Sequence, residues 1–343
     1  MKKAFGCFFM SLTLLFSTLA SAQIITVNGE ISADEMGISL IHEHIMVDWI
    51  GADSTGYHRW NRGEVVQRAL PFLKELENHG VTTLVDCTPA YLGRDPYILK
   101  ELSHLSGIQI LTNTGYYGVH DNKFIPLKVQ KASAQEMASH WMKEFERGID
   151  GSGIKPGFIK ISVNNSGTLS EVHKKLITAA GLTHLATGMT IVSHTGGDEA
   201  AMAQIKVLKN MGVSPRSFVW THAQNGTIDG YIEAAKHGAW ISLDHVNAGD
   251  PNNPKKNGNI DWYVASLSKL KDKNILQQVL VSHDAGWYTV GETNGGDFRG
   301  YTNLFTELIP ALKKNGFSKK DIDMLLVENP KEAYMLRIRK VQN

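Results

Sequence analysis

The sequence predicts a (β/α)8 barrel, on two observations. Eight short β-rich runs recur along the 343 residues, and each is followed by a segment whose apolar residues repeat at helical spacing. No glycine-rich phosphate loop follows an early run, which disfavours the open doubly wound sheet that the same alternation permits. The eight runs are SLIHEH, TTLVDCT, IQILTNTG, GFIKIS, TIVSHTG, FVWTHA, AWISLDH and VLVSHD.

The first 22 residues, MKKAFGCFFMSLTLLFSTLASA, combine two lysines, an apolar stretch and a small-residue ending. Secretory signal peptides have this composition, and the apolar stretch is short for a membrane helix. We therefore expect cleavage near Ala22 and Gln23, and a periplasmic or secreted protein whose residues 23–343 form a single domain. Cys87 is then the only thiol, so no intrachain disulfide can form.

The charge balance gives no reason to expect nucleic acid or a membrane as a partner. Lys2 and Lys3 leave with the leader, so 33 basic residues then face 34 acidic ones. Proteins that bind nucleic acid or anionic membranes usually carry a clear excess of basic residues.

The remaining elements follow from local turn signals. Residues 23–38 contain the turn sequence VNGE, which predicts a small N-terminal hairpin closing the barrel floor. The segments 63–80 and 198–212 are helical in period and end in glycine. Two long Gly- and Asn-rich segments, 247–261 and 285–300, follow the seventh and eighth runs, and loops of that length are usually functional.

Residues able to bind metal fall at the C-terminal ends of the predicted strands, where barrel enzymes carry their catalytic groups. Four of these residues are histidines, one is an aspartate, and one is a lysine within the apolar run GFIKIS. They are His42, His44, Lys160, His194, His222 and Asp284.

The H-x-H pair carries the first indication of a metal site. Strand side chains alternate, so His42 and His44 face the same way while Glu43 faces the other. Such a pair can converge on one ion, although two buried polar residues with their own partners explain it equally well. Imidazoles with a carboxylate suit zinc or a similar ion.

Lys160 is harder to explain as a structural residue. An ammonium inside an apolar strand is costly to bury unpaired, so Lys160 needs a partner or a chemical change. A lone His194 or His222 is, by contrast, more typical of a structural histidine. Other histidines lie in predicted helices or loops and receive no role: His79, His104, His140, His173, His184 and His237.

The order of these residues resembles the phosphotriesterase branch of the amidohydrolase superfamily. An H-x-H pair, a strand-4 lysine, two later histidines and an aspartate occur in the family's order. The similarity runs from ITVNGEISADEMGISLIHEHI to ENPKEAY and includes LDH after the seventh run.

The resemblance implies a hydrolase with two divalent metal ions. Zinc is the expected metal, and cobalt, manganese or iron are the alternatives. His42, His44 and Asp284 would hold the more buried ion, and His194 and His222 the more exposed one. Lys160, carboxylated by CO2, would bridge both ions, and a hydroxide would form the second bridge. Asp284 would also accept the proton of that hydroxide.

Two further positions follow from the resemblance. His245 in ISLDHVN matches a strand-7 histidine that relays a proton behind Asp284, the alternative being a purely structural histidine. The run HAQN places Asn225 where phosphotriesterases carry an aspartate, a departure from the relay.

The segment TNTGYYG resembles the place where lactonases of this branch carry a tyrosine and phosphotriesterases a tryptophan. Tyr117 is the best-aligned candidate and Tyr116 the competitor. We expect Trp287, Tyr288 and the long loop that contains Arg299 to form the roof of the pocket. The sequence thus favours a lactonase acting on a small ester, with phosphotriesterase (aryldialkylphosphatase) activity as the alternative. A metal-containing barrel that binds a ligand without turnover is a third hypothesis. Formation of a homodimer stays open.

Overall fold

The computed structural model describes residues 22–246 and 259–342, which form a closed (β/α)8 barrel, as predicted. The strands are β1 (Gln23–Thr26), β2 (Gly29–Ser32), β3 (Ile38–Val47), β4 (Val81–Asp86), β5 (Gln109–Leu111), β6 (Asn113–Thr114), β7 (Phe158–Ser162), β8 (Thr190–His194), β9 (Phe218–Thr221), β10 (Trp240–Leu243), β11 (Val279–Val281) and β12 (Gly286–Thr289).

Helices follow each barrel strand. The α-helices are α1 (Arg62–Glu75), α2 (Pro96–Ser106), α3 (Leu127–Lys131), α4 (Ala134–Arg147), α5 (Glu171–Thr187), α6 (Asp198–Asn210), α7 (Ile228–Lys236), α8 (Ile260–Asp272), α9 (Ile309–Lys314), α10 (Lys319–Asp323) and α11 (Asn329–Tyr334). The π-helical turns Leu304–Leu308 and Met324–Glu328 lead into α9 and α11. No described helix has the length and apolar character needed to span a bilayer.

The barrel wall consists of two parallel arcs, with strand order β11-β10-β9-β8-β7-β6 in one and β12-β3-β4-β5 in the other. The third strand position is interrupted at Thr112 and the eighth between β11 and β12. Backbone bonds cross the second gap, because Asp284 N donates to His42 O and His44 N donates to Ala285 O, both at 2.9 Å. The first and last strands therefore close the ring.

The segment 285–300 is only partly the loop that the sequence predicts, because it contains β12, which pairs with β3. Gly286 has φ 95°, and a Cβ at this position would overlap the carbonyl oxygen of His44. The glycine that indicates a loop in sequence is thus what allows the two backbones to approach.

The predicted N-terminal hairpin is confirmed. Strands β1 and β2 pair antiparallel from Gln23↔Ser32 to Thr26↔Gly29. Ile24 is fully buried and belongs to one core cluster with residues of the barrel strands such as Ile41 and Phe158. The hairpin therefore fills one end of the barrel and leaves the other end for the site.

The first predicted helix is present as α1, which ends at Glu75 and is continued by a 3₁₀ turn, Leu76–His79. In α1 the Asn61 side chain accepts from Gly63 N and Glu64 N, and Gly80 ends the following turn with φ 69°. Of the predicted leader, only Ala22 belongs to the described residues. Residues 247–258 of the predicted loop after the seventh run also lie outside them.

Candidate metal centre

The strand ends bring all six predicted metal-binding residues together at the barrel mouth. His42 and His44 lie on β3, Lys160 on β7 and His194 at the end of β8, while His222 follows β9. Asp284 lies between β11 and β12. They line a cavity of about 240 Å³ together with Trp49, Cys87, Leu92, Tyr117 and Trp287.

Three of these side chains form a compact inner group. Asp284 Oδ1 lies 3.1 Å from His44 Nε2 and 3.7 Å from His42 Nε2. This oxygen is buried and has no hydrogen-bond partner of good geometry among the described residues. Two imidazoles and a carboxylate with an unused oxygen, all within 4.8 Å of one another, fit a divalent ion.

The orientation of three histidines follows from the partners of their Nδ1 atoms. His42 Nδ1 lies 2.8 Å and His222 Nδ1 2.9 Å from the carboxylate of Asp244. His44 Nδ1 lies 2.8 Å from Thr88 Oγ1, whose own proton goes to a backbone carbonyl. Because the Thr88 proton is used elsewhere, Nδ1 of His44 donates to Thr88, which leaves the Nε2 lone pair of His44 free to bind a metal.

The outer group is the pair His194 and His222, whose ring centroids are 4.4 Å apart. The hydroxyl of Tyr117 lies 3.1 Å from His194 Nδ1. Tyr116 instead packs edge-on against Trp141 and does not line the cavity. Of the two candidate tyrosines, the structure places Tyr117 at the site.

Lys160 lies at the centre of the cluster and is 1% exposed. Its Nζ is 3.4 Å from His42 Nε2, and no described carboxylate comes within ion-pair distance of it. A buried ammonium without a counter-charge is unfavourable by several kcal/mol, roughly, in a protein interior. Lys160 therefore lacks the ion-pair partner that a buried lysine usually has.

Burial and neighbouring charges set the protonation of His42 and Asp284 in the inner group. Burial, helped by Lys160, lowers the pKa of His42 to about 4. Burial also opposes ionisation of Asp284, but the histidines around it outweigh burial and hold its pKa well below the usual range. At neutral pH these side chains are a neutral imidazole and a carboxylate, the forms that bind metal.

The pKa values of the two outer histidines shift in opposite directions. Burial, then the neighbouring His222, lowers the pKa of His194 well below its ordinary value. Burial acts in the same direction on His222, but the charge and hydrogen bonds of Asp244 outweigh it and raise that pKa. Tyr117 is a neutral phenol, since burial raises its pKa far above the normal range.

His245 lies where the sequence predicts it, with Nδ1 3.8 Å from Asp284 Oδ2 and a side chain one quarter exposed. Trp287 stacks on His44 at 3.8 Å between ring centroids and on Trp49 at 5.6 Å. These rings form one wall of the cavity.

The expectation that Tyr288 forms part of the pocket roof is wrong. Tyr288 follows Trp287 on β12, so its side chain points to the opposite face and packs in the core beside Val65. Arg299 does not line the cavity either, but its guanidinium donates to the carbonyl oxygen of Asp284. Arg299 thus supports a site residue from behind.

Two buried acids at the site receive no role from the sequence. Asp244 holds two of the histidines. Glu43 holds the turn around Asp284, because it accepts from Ser282 Oγ at 2.7 Å, His283 Nδ1 at 2.8 Å and Ala285 N at 2.9 Å. The signal available in sequence is an acid inside or directly after an apolar run, which requires a buried partner.

A (β/α)8 barrel that collects imidazoles, a carboxylate and a buried lysine at its mouth has the architecture of metal-dependent hydrolases. Residues 22–334 match the model of the phosphotriesterase family. The chain therefore belongs to this family of hydrolases.

Individual relatives span almost the whole chain. A phosphotriesterase homology protein of Escherichia coli (strain K12) is 29% identical over 304 residues, which cover 88% of this chain and 99% of that protein. An aryldialkylphosphatase of Saccharolobus solfataricus is 28% identical over 313 residues, covering 89% and 96%.

Solved structures show the same fold. A mutant of a PTE-like lactonase from Deinococcus radiodurans superposes with a TM-score of 0.81 at 22% identity, covering 91% of this chain and 99% of that one.

Proposed function

We propose that the protein hydrolyses small esters with two bound metal ions, and that lactones are its preferred substrates. One observation carries the preference for lactones. The Tyr117 hydroxyl faces the cavity beside His194, at the position where the family resemblance places the lactonase tyrosine. The leader-like composition of residues 1–22 supports an exported protein.

The proposed ligands divide between the two groups of the site. His42, His44 and Asp284 would hold one ion, His194 and His222 the other, and Lys160 would bridge them after carboxylation by CO2. Carboxylation would turn the unpaired buried amine into an anionic ligand. The donor set favours zinc, with cobalt, manganese and iron as alternatives. When bound, such ions polarise the substrate oxygen and lower the pKa of water.

The side chains around the ions would carry out proton transfer and orientation. Asp284 would accept the proton that the attacking water gives up, and His245, which lies 3.8 Å from Asp284 Oδ2 and is partly exposed, would pass it to solvent. Tyr117 donates a hydrogen bond that orients the lactone. Trp49 and Trp287 hold the apolar part of the substrate and exclude water.

Phosphotriester hydrolysis is the second candidate. The similarity to an aryldialkylphosphatase over 89% of this chain favours it, and the same ligands and the same Asp284 would serve it. The two candidates differ in the use of Tyr117, because the arms of a phosphotriester would not accept its hydrogen bond.

The test compares kcat/KM for a lactone and for an aryl dialkyl phosphate. Tyr117→Phe should lose about 5- to 150-fold on the lactone, which corresponds to roughly 1–3 kcal/mol for one unmet hydrogen bond. The phosphate should be spared. Tyr116→Phe is the matched control, because the neighbouring hydroxyl is removed outside the cavity and neither substrate should respond.

Asp284→Asn should lower kcat/KM for both substrates alike, by about 10²- to 10⁴-fold from the loss of proton transfer alone. Equal losses on both classes in Tyr117→Phe would contradict the lactonase and place phosphotriester hydrolysis first. Protein loaded with zinc, cobalt or manganese and bicarbonate that binds one of these compounds but hydrolyses none would instead support a ligand-binding barrel.

A further inference from the structure

Asp244 connects the two ligand groups through one carboxylate. It follows β10 and is fully buried. Its Oδ2 lies 2.8 Å from Nδ1 of His42 in the inner group, and its Oδ1 lies 2.9 Å from Nδ1 of His222 in the outer group. His44 has a different partner, Thr88.

We propose that Asp244 is a positioning residue that fixes the metal-binding tautomer of His42 and His222, one histidine for each ion. The proposal rests on the two-metal centre proposed above. Asp244 itself would touch neither ion nor substrate.

The chemistry of the carboxylate determines the tautomer. Both oxygens only accept hydrogen bonds, so both facing Nδ1 atoms must carry the proton. Each Nε2 then has a free lone pair directed away from Asp244. A neutral imidazole with the opposite tautomer would place two acceptors in contact and present an N–H to the cavity.

The carboxylate is held rigidly by two further donors. The backbone N–H of His222 lies 3.0 Å from Oδ1 and 3.2 Å from Oδ2, and Ser242 Oγ lies 2.8 Å from Oδ2. His222 has φ 60°, a left-handed conformation that is uncommon for histidine, and the bond from its N–H to Asp244 stabilises it. Asp244 thus fixes the backbone as well as the ring of His222.

An amide at position 244 could accept a hydrogen bond from the Nδ1–H of only one of the two imidazoles. In Asp244→Asn the NH2 group would face the Oδ2 side, because the Ser242 hydroxyl can rotate there to accept. The backbone N–H of His222, which lies nearer to Oδ1, can only donate, so the amide oxygen must occupy the Oδ1 side. His42 would then accept through Nδ1 and carry its proton on Nε2, so that it could no longer bind metal.

Metal content tests this prediction without an activity assay. After equilibration with zinc and bicarbonate, native mass spectrometry should find two ions in the wild type and one in Asp244→Asn. Ser242→Ala, which keeps the carboxylate, should retain two. Glu144→Gln should also retain two, since Glu144 is a buried carboxylate paired with Arg94 away from the cavity. Two ions in Asp244→Asn, or equal losses in all three variants, would overturn the proposal.

Histidine ¹⁵N NMR of the metal-free protein near pH 8 gives a second readout that needs no variant. His42 and His222 should both show the Nδ1–H tautomer in the wild type, and Asp244→Asn should move His42 to Nε2–H. A wild type with Nε2–H at either residue overturns the proposal, even if Asp244→Asn does not fold.

The outcomes separate this inference from the proposed function. Wild-type protein that loads two ions but hydrolyses no ester refutes the function alone, provided that Asp244→Asn loads one. An active two-ion enzyme whose Asp244→Asn variant still loads two refutes the positioning role alone.

Discussion

Replacing Lys160 by methionine should have opposite effects on the metal-free and the metal-loaded protein. Lys160 is 1% exposed, and its Nζ has His42 Nε2 at 3.4 Å as its described hydrogen-bond partner. Methionine keeps much of the volume and removes the amine. The substitution therefore relieves an unfavourable buried group in the absence of metal and deletes the proposed bridging ligand in its presence.

The two effects are similar in size. Apolar replacement of buried charged groups raises the free energy of unfolding by about 1–4 kcal/mol. A ligand at about 100 times its Kd stabilises the folded state by about 2.7 kcal/mol, so two ions contribute about 5 kcal/mol to the wild type. If the variant binds neither ion, it should be more stable than wild type in chelator and about 1–4 kcal/mol less stable in zinc.

Urea denaturation in chelator and in zinc with bicarbonate measures both differences. Lys206→Met, at an exposed position of α6, is the matched control and should change stability by less than about 0.5 kcal/mol in either condition. Loss of stability in Lys160→Met without metal would mean that the amine is already well paired there. A change in the free energy of unfolding with the same sign in chelator and in zinc would refute the bridging role of Lys160.

Two further predictions concern single histidines. His42→Asn and His222→Asn should each lower the zinc content from two ions to one by elemental analysis, and two ions in either variant would refute the ligand assignment. Burial holds the pKa of His184 below its ordinary value of 6.5, so its contribution to stability is full above that pH and is lost as the pH falls. Hydrogen exchange at the Arg339 amide, which donates to His184 Nε2 at 2.9 Å, should therefore accelerate from about pH 7 to about pH 5 after intrinsic correction. Unchanged protection there, or the same acceleration in His184→Gln, would refute this linkage.

The fold was predictable because each of the eight predicted runs is a local apolar segment that forms a barrel strand. The exception is β12, since Gly286 and the glycines after it indicate a loop in any local window. Its partner β3 lies more than two hundred residues earlier in the chain, and that pairing decides the structure.

The site was predictable only in part. His42, His44 and Asp284 could be placed together because strand ends share one rim of the barrel. The roles of Asp244 and Glu43 could not, because their partners come from other strands. His42 and Asp244 are 202 positions apart, and Ser282 and Glu43 are 239 apart. No local sequence pattern reports such contacts.

The closure of the ring by β3 and β12 also constrains the order of folding. A chain made from its N-terminus exposes β3 long before β12 and Asp284 exist, so the first strand keeps an unpaired edge for most of synthesis. Contacts of such sequence separation form late because the intervening chain must be ordered first. The inner group of His42, His44 and Asp284 is therefore complete only when the last barrel strand docks. A chain truncated before Asp284 would keep both histidines of β3 but lose the carboxylate that faces them.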